Sequence, residues 1–167
     1  MNELLLAQAI SAAAAAHEGQ LDLQGEAMIL HPLRVMFRLR KQGKSIEMQV
    51  AAVLHDVIED SDWTEENLSR IFGPEVSHLV VALSKRSGES YDDYINRVIS
   101  EGAEACETKL TDILDNVMRL STLREIDIQK ADRLESKYRP AMHRLYGVLT
   151  EQYCRSIVLS EEQEDDG

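Results

Sequence analysis

Along most of the chain apolar side chains recur at helical spacing and not in alternation. The longest such pattern is Leu110, Ile113, Leu114 and Val117 with Leu120 or Ser121, at i, i+3, i+4 and i+7. Residues Asn2 to His17 read as a first helix, and Glu18 to Leu30 as a loop punctuated by Gly19 and Gly25. Pro32 is suited to a helix start, Leu33, Val35, Met36, Phe37 and Leu39 continue it, and Gly43 closes it. Ser45 caps a helix over Ile46 to Ile58, and Asp62 with Glu65 has the spacing of a capping box for the next, which ends at Gly73. Pro74 opens a helix to about Leu83, Lys85 to Ser90 is a polar turn, and Tyr91 to Glu101 is helical with Gly102 as its stop. A last helix runs from Ile128 or later to Ile157, with Pro140 expected to kink or split it. Sustained two-residue alternation is missing, so the pattern predicts an all-α bundle of roughly eight or nine helices.

At 167 residues the chain suits one domain, taken as 1–160, followed by an acidic tail, 161–167, expected to be disordered. Only 8 glycines and 3 prolines agree with a helical fold. Thirty acidic against 18 basic side chains give a net charge of -12, and the tail holds five of those acids and no base. Nucleic acids and anionic membranes are therefore disfavoured as partners. The most apolar stretch, Leu4 to Ala16, is too short to span a bilayer and is interrupted by Gln8 and Ser11. Glu3 stands where a signal peptide carries basic residues, so the stretch reads as a mature helix. Cys106 and Cys154 form no CxxC, which suits unreactive thiols in a reducing, cytoplasmic compartment.

Candidate chemistry begins at the end of the Ile46 helix. His55, Asp56, Glu59 and Asp60 crowd the helix C-terminus, where the partial negative charge of the helix disfavours extra carboxylates, so a divalent cation would relieve the site. Asp112, Asp115, Asn116 and Arg119 form a polar stripe that by itself reads as solvent-facing surface. His31 stands at a helix entrance before Pro32. Together His31, His55, Asp56 and Asp112 offer two imidazoles and two carboxylates from three helices, a set suited to Mn²⁺, Fe²⁺ or Zn²⁺ with positions open for water.

The strings AHEGQ (Ala16 to Gln20), IxHP (Ile29 to Pro32), LHDVIED (Leu54 to Asp60), LSK (Leu83 to Lys85) and KLTDILDN (Lys109 to Asn116) follow one another as in HD-domain phosphohydrolases. Over about Ala7 to Leu149 the chain resembles the hydrolase domain of RelA/SpoT-type enzymes and their small alarmone hydrolase relatives. The resemblance implies an all-helical HD domain with one metal ion, usually manganese, held by His31, His55, Asp56 and Asp112. It implies that Glu59 and Asp60 orient and activate the attacking water and that Asn116 lies against the nucleotide. It further implies removal of pyrophosphate from the ribose 3′ position of ppGpp or pppGpp. The sequence departs from the pattern at Asp22, where relatives carry a basic residue that covers the base, at Ala27-Met28, where they carry Pro-Tyr, and at Asp115, which replaces a histidine. Metal and chemistry carry over, but guanine selectivity does not follow.

A polyanionic substrate also needs local positive charge. Arg34, Arg38, Arg40, Lys41 and Lys44 fill an acid-free stretch, and Arg34, one turn from His31, is the favoured phosphate contact among them. Lys85, in the LSK string, is the second. His17 is expected to brace its loop, His78 and His143 to be surface or structural residues, and Trp63, Tyr91 and Tyr94 to pack. The leading function is a metal-dependent phosphohydrolase of a (p)ppGpp-like nucleotide. Alternatives are a (p)ppApp or other nucleotide phosphohydrolase on the same fold and a non-catalytic nucleotide-binding regulatory module.

Overall fold

The structure is a computed structural model that describes the backbone of residues 2–164 and the side chains of 3–153. Among the described residues ten helical segments follow one another: α1 (Asn2–Ala16), α2 (Leu30–Lys41), α3 (Ile46–Leu54), α4 (Val57–Asp60), α5 (Glu65–Phe72), α6 (Pro74–Leu83), α7 (Tyr91–Ser100), α8 (Ala103–Met118), α9 (Leu120–Ile126) and α10 (Ile128–Glu164). The all-α expectation holds. The segment count exceeds the expected one because the Ile46 helix is interrupted at His55 and Asp56, and because the amphipathic helix ends at Met118 and resumes at Leu120.

Local chemistry sets the boundaries. The Ser45 hydroxyl accepts from the Met48 N–H at 3.3 Å to start α3, and the Ser90 hydroxyl does the same for Asp93 at 3.1 Å in α7. The capping box of α5 uses Thr64 and Asn67, in place of the expected Asp62 and Glu65, because both reciprocal side chain to backbone bonds form at that pair. Gly73, at φ 90°, sits between α5 and α6 in a conformation only glycine adopts freely. Helix α2 starts two residues before Pro32, and the loop ahead of it closes on an isolated β-bridge between Leu21 and Ala27. Helix α10 runs through Pro140 unsplit, since buried Ala131, Ala141 and Leu145 hold both flanks against neighbours. It continues to Glu164; the rest of the segment expected as a tail, 165–167, lies outside the described residues.

Helix α3 is the axis of the bundle. Every residue from Met48 to Leu54 is buried, and α1, α2, α6 and α8 all pack on it. The chain therefore arrives at His55 from the most rigid element of the fold. There the Ser84 hydroxyl, at the end of α6, takes the His55 carbonyl at 3.2 Å, where an unbroken helix would keep it for its own ladder. A smaller apolar cluster of Leu120, Leu123 and Ala131 joins α9 to α10. Trp63 packs at a tilt on Phe72, as expected of it. No described helix is long and apolar enough to cross a membrane.

Candidate metal centre and substrate cleft

Four polar side chains converge from α2, from the α3–α4 junction and from α8. His31 Nε2 lies 3.0 Å from Asp112 Oδ1 and 4.0 Å from Asp56 Oδ2, while His55 Nε2 lies 3.2 Å from Asp56 Oδ2 and 3.7 Å from Asp112 Oδ1. His31, His55 and Asp112 are buried, and their nearest ligand atoms all fall within 4.8 Å of one another. Nitrogen and oxygen ligands about 2.1 Å from a divalent metal stand about 3 Å from each other, so the spacing fits one ion. The remaining ring nitrogens are already committed. His55 Nδ1 bonds the Ala52 carbonyl at 2.8 Å, and His31 Nδ1 bonds Asp115 Oδ2 at 3.0 Å. With each Nδ1 donating to its oxygen, both lone pairs on Nε2 face the shared centre.

Asp115 is only 1% exposed and binds more than His31. Arg34 Nε donates to it at 3.0 Å, and Arg38 Nη2 at 3.5 Å. Burial opposes ionisation of Asp115, but the bonds from His31 and Arg34 outweigh it and hold the carboxyl below its usual range. Asp112 is braced on two sides, by Lys109 Nζ at 2.7 Å on Oδ2 and by Asn116 Nδ2 at 2.7 Å on Oδ1. Burial likewise opposes its charge, and Lys109 and His31 overcome that to keep it ionised. Burial pushes the His31 imidazole down, yet the hydrogen bonds to Asp112 and Asp115 raise it to about 10. Without a cation, a proton on His31 offsets part of the carboxylate charge.

Glu59 and Asp60, on α4, turn to different spaces. Glu59 accepts the Lys85 backbone N–H on Oε1 at 2.8 Å and lines a polar chamber of 230 Å³ beside the cluster. Asp60 lines a larger cleft of 510 Å³, whose wall is apolar at Leu21, Leu23, Met28, Leu120 and Leu123. Burial raises both carboxyls, and the Asp56 charge adds to it. Chamber and cleft meet at Met28, His31, Asn116 and Tyr138. The expected substrate contacts are distributed accordingly: Asn116 borders both spaces, Arg34 the cleft and Lys85 the chamber. Of the other cations in the acid-free stretch, Arg40 pairs with Glu3 and Lys44 with Glu107, away from the site.

His17 braces the first loop through Gln20 at 2.9 Å, and Gln20 in turn donates to the Asp60 carbonyl. His78 is a surface residue paired with Glu101, and His143 is exposed. Asp22 organises its own turn by accepting the Gln24 and Glu26 N–H groups, and its second oxygen meets Arg119 at 3.0 Å. Tyr94 is core, hydrogen-bonded to the Leu83 carbonyl, and it lines the chamber together with Tyr91. Cys106 is buried, and the side chain of Cys154 lies outside the described residues. Sequence reasoning missed Lys109, a lysine 11% exposed that bridges Asp112 and the Tyr94 ring; its spacing of three residues from Asp112 was the available signal. It also missed Lys137, which lines the chamber from α10 with no motif around it.

The HD domain family matches residues 9–93, a span that holds His31, His55 and Asp56 and stops before Asp112. The guanosine-3′,5′-bis(diphosphate) 3′-pyrophosphohydrolase of Aquifex aeolicus (strain VF5) is 35% identical over 137 residues, covering 77% of this chain and 20% of the relative. The bifunctional (p)ppGpp synthase/hydrolase SpoT of Escherichia coli (strain K12) is 31% identical over 151 residues, covering 84% and 22%. The chain thus spans about a fifth of the length of these curated relatives. Among solved structures, a metazoan ortholog of SpoT that hydrolyzes ppGpp aligns with a TM-score of 0.63 over 91% of this chain and 95% of that one, at 24% identity, a likeness of fold. With half of its length matched by the family and a His/Asp cluster at the junction of α3 and α4, the chain belongs to the HD-domain family.

Proposed function

We propose that the chain is a metal-dependent nucleotide phosphohydrolase that removes pyrophosphate from the ribose 3′ position of (p)ppGpp-like alarmones. The observation that carries the reading is the meeting of a two-histidine, two-carboxylate cluster with a cleft that is apolar on one wall and a polar chamber on the other side. The names of the curated relatives support the same substrate class. A divalent ion, Mn²⁺ first, held by His31, His55, Asp56 and Asp112, supplies positive charge against the phosphoryl oxygens and acidifies water.

The chain's own residues do the rest. Glu59, raised by burial and fixed by the Lys85 N–H, is the proton acceptor; it lines the chamber together with Asp56. A water oxygen bonds to the phosphorus nearest the ribose, the bond from that phosphorus to the 3′ oxygen breaks, the water's proton passes to Glu59, and the 3′ oxygen takes a proton from solvent. Asp60, from the cleft side of the same turn, shares the orientation of the water. Asn116 holds Asp112 in place and presents its amide edge to the nucleotide. Arg34, neutralised in part by Asp115, and Lys85 meet phosphate oxygens. The purine occupies the apolar cleft.

Incubating the purified protein with Mn²⁺ and ppGpp, ppApp or simple nucleotides, with product identification, tests the reading. Release of pyrophosphate from a 3′-pyrophosphorylated nucleotide is expected. Orthophosphate as the product would assign a phosphomonoesterase, and inactivity on every nucleotide a regulatory module.

A further inference from the structure

A cluster that is to hold a divalent ion gains from negative charge on its ligands, and one ligand here already carries a cation. Lys109 Nζ lies 2.7 Å from Asp112 Oδ2, with the two side chains only 11% and 6% exposed. The lysine stands three residues before Asp112 on α8, so the helix itself delivers the ammonium to the carboxylate. Tyr94, a core residue of α7, backs it. The ammonium lies 4.8 Å from the centre of that ring, whose hydroxyl is anchored on the Leu83 carbonyl. The ring therefore attracts the ammonium whatever faces the other side of Asp112. The two remaining carboxylates of the chamber, Asp56 and Glu59, are placed differently. Asp56 pairs with His31 and His55, and Glu59 accepts a backbone N–H. Among the described residues Lys109 is thus the one lysine or arginine fixed on a carboxylate of the proposed ligand set.

We infer that Lys109 is a resident counter-cation that limits how tightly the cluster holds its metal and so keeps the ion exchangeable. The inference rests on the metal-site reading above. Asp112 Oδ2 is committed to the ammonium, so Oδ1, which lies 3.0 Å from His31 Nε2 and 3.7 Å from His55 Nε2, is the oxygen left for an ion. An ion on Oδ1 and the ammonium on Oδ2 share one carboxylate, and each weakens the hold of the other. In the metal-free chain the same ammonium keeps a buried carboxylate partnered, where an uncompensated charge would be strongly destabilising. Lys109 therefore supports the metal-free cluster and lowers the gain on metal binding. Occupancy then follows the free concentration of the divalent ion over a range in which a cluster without Lys109 is already saturated. Lys109 acts through Asp112 as a positioning residue and needs no contact with a nucleotide.

The test is calorimetric titration of the metal-free full chain with Mn²⁺, for the parent, Lys109→Met and Lys109→Gln. The glutamine keeps a hydrogen-bond donor for Oδ2 and removes the charge. Both variants should bind Mn²⁺ more tightly than the parent, by about tenfold or more, and release it more slowly to a chelator. Their metal-free forms should melt below the parent, and the rise in melting temperature on adding Mn²⁺ should exceed the parental rise. A merely structural brace predicts the opposite, weaker binding in Lys109→Met with recovery in Lys109→Gln. Parental or weaker Mn²⁺ affinity in either variant overturns the inference. Should a metal-free variant not fold, refolding by Mn²⁺ supports the counter-cation role, and failure to refold overturns it. If the parent binds no Mn²⁺, the metal-site reading and the inference fall together. If both variants bind Mn²⁺ more tightly and the parent hydrolyses no nucleotide, the nucleotide reading falls and the inference stands. If the parent releases pyrophosphate from a 3′-pyrophosphorylated nucleotide and Mn²⁺ affinity is unmoved in the variants, the inference falls and that reading stands.

Discussion

Asp115 shows how one side chain sets the chemistry of another. Its carboxylate holds His31 Nδ1, and with it the direction of the Nε2 lone pair, while Arg34 and Arg38 balance its charge. Asp115→Asn keeps the shape but weakens the bond and sets an amide N–H against Arg34 or His31. A loss of about 10- to 100-fold in metal affinity is expected, the range for partners of a ligating histidine. Titration of the metal-free protein with Mn²⁺ measures it, and parental affinity would show that the imidazole needs no carboxylate to orient it. Glu59 separates binding from turnover. Glu59→Gln keeps the acceptor for the Lys85 N–H and removes the proton acceptor, so metal content should persist while kcat falls by about 10²- to 10⁴-fold. Near-parental turnover in Glu59→Gln and in the Glu59→Gln/Asp60→Asn double variant would remove the pair from the mechanism.

At the scale of elements, the turn that carries Lys85 is held by Arg97 from α7. Its guanidinium donates to the carbonyls of Ala82 and Ser84 at the end of α6, and to both oxygens of Glu89. That pairing, more than the opposing effect of burial, lowers the Glu89 carboxyl from 4.5 to about 2. Between those values the unfolded chain binds a proton that the folded chain refuses, so stability rises with pH across the window. The contribution is complete above about pH 4.5 and is lost as the pH falls through about 2. Glu89→Gln should therefore melt below the parent near neutral pH, and the gap should close as the buffer is taken down through this window. A gap of constant size would mean that the carboxylate charge is irrelevant to the turn.

At the scale of the molecule, the His/Asp cluster ties α2, the α3–α4 junction and α8 to one point, so an ion bound there joins three otherwise separate stretches of chain. Binding to the folded state alone stabilises by about 2.7 kcal/mol at one hundred times the dissociation constant. For a chain of this size that raises the melting temperature by roughly 5 to 10 °C. Stripping metal with a chelator and restoring Mn²⁺ should reproduce the shift in the parent and abolish it in Asp112→Ala. An equal shift in Asp112→Ala would place the ion elsewhere.

Most helical spans were legible in the sequence, because apolar period and capping residues act within a few positions, and LHDVIED with KLTDILDN contains the His55, Asp56 and Asp112 that the structure brings beside His31. It could not say which face of the Asp112 to Arg119 stripe met water. Spacing defines a face of a helix and not what lies across from it, and the partner that buries Asp115 is His31, 84 residues away. The break at His55 depends on a serine 29 residues downstream, and nothing in the Ile46 to Ile58 segment announces it. Nothing in the sequence marks Lys109 as buried, because lysine in a helix is most often solvated. Only the packing of α7 beside α8 brings the Lys109 ammonium over the Tyr94 ring and onto Asp112, where low exposure makes charge pairing matter.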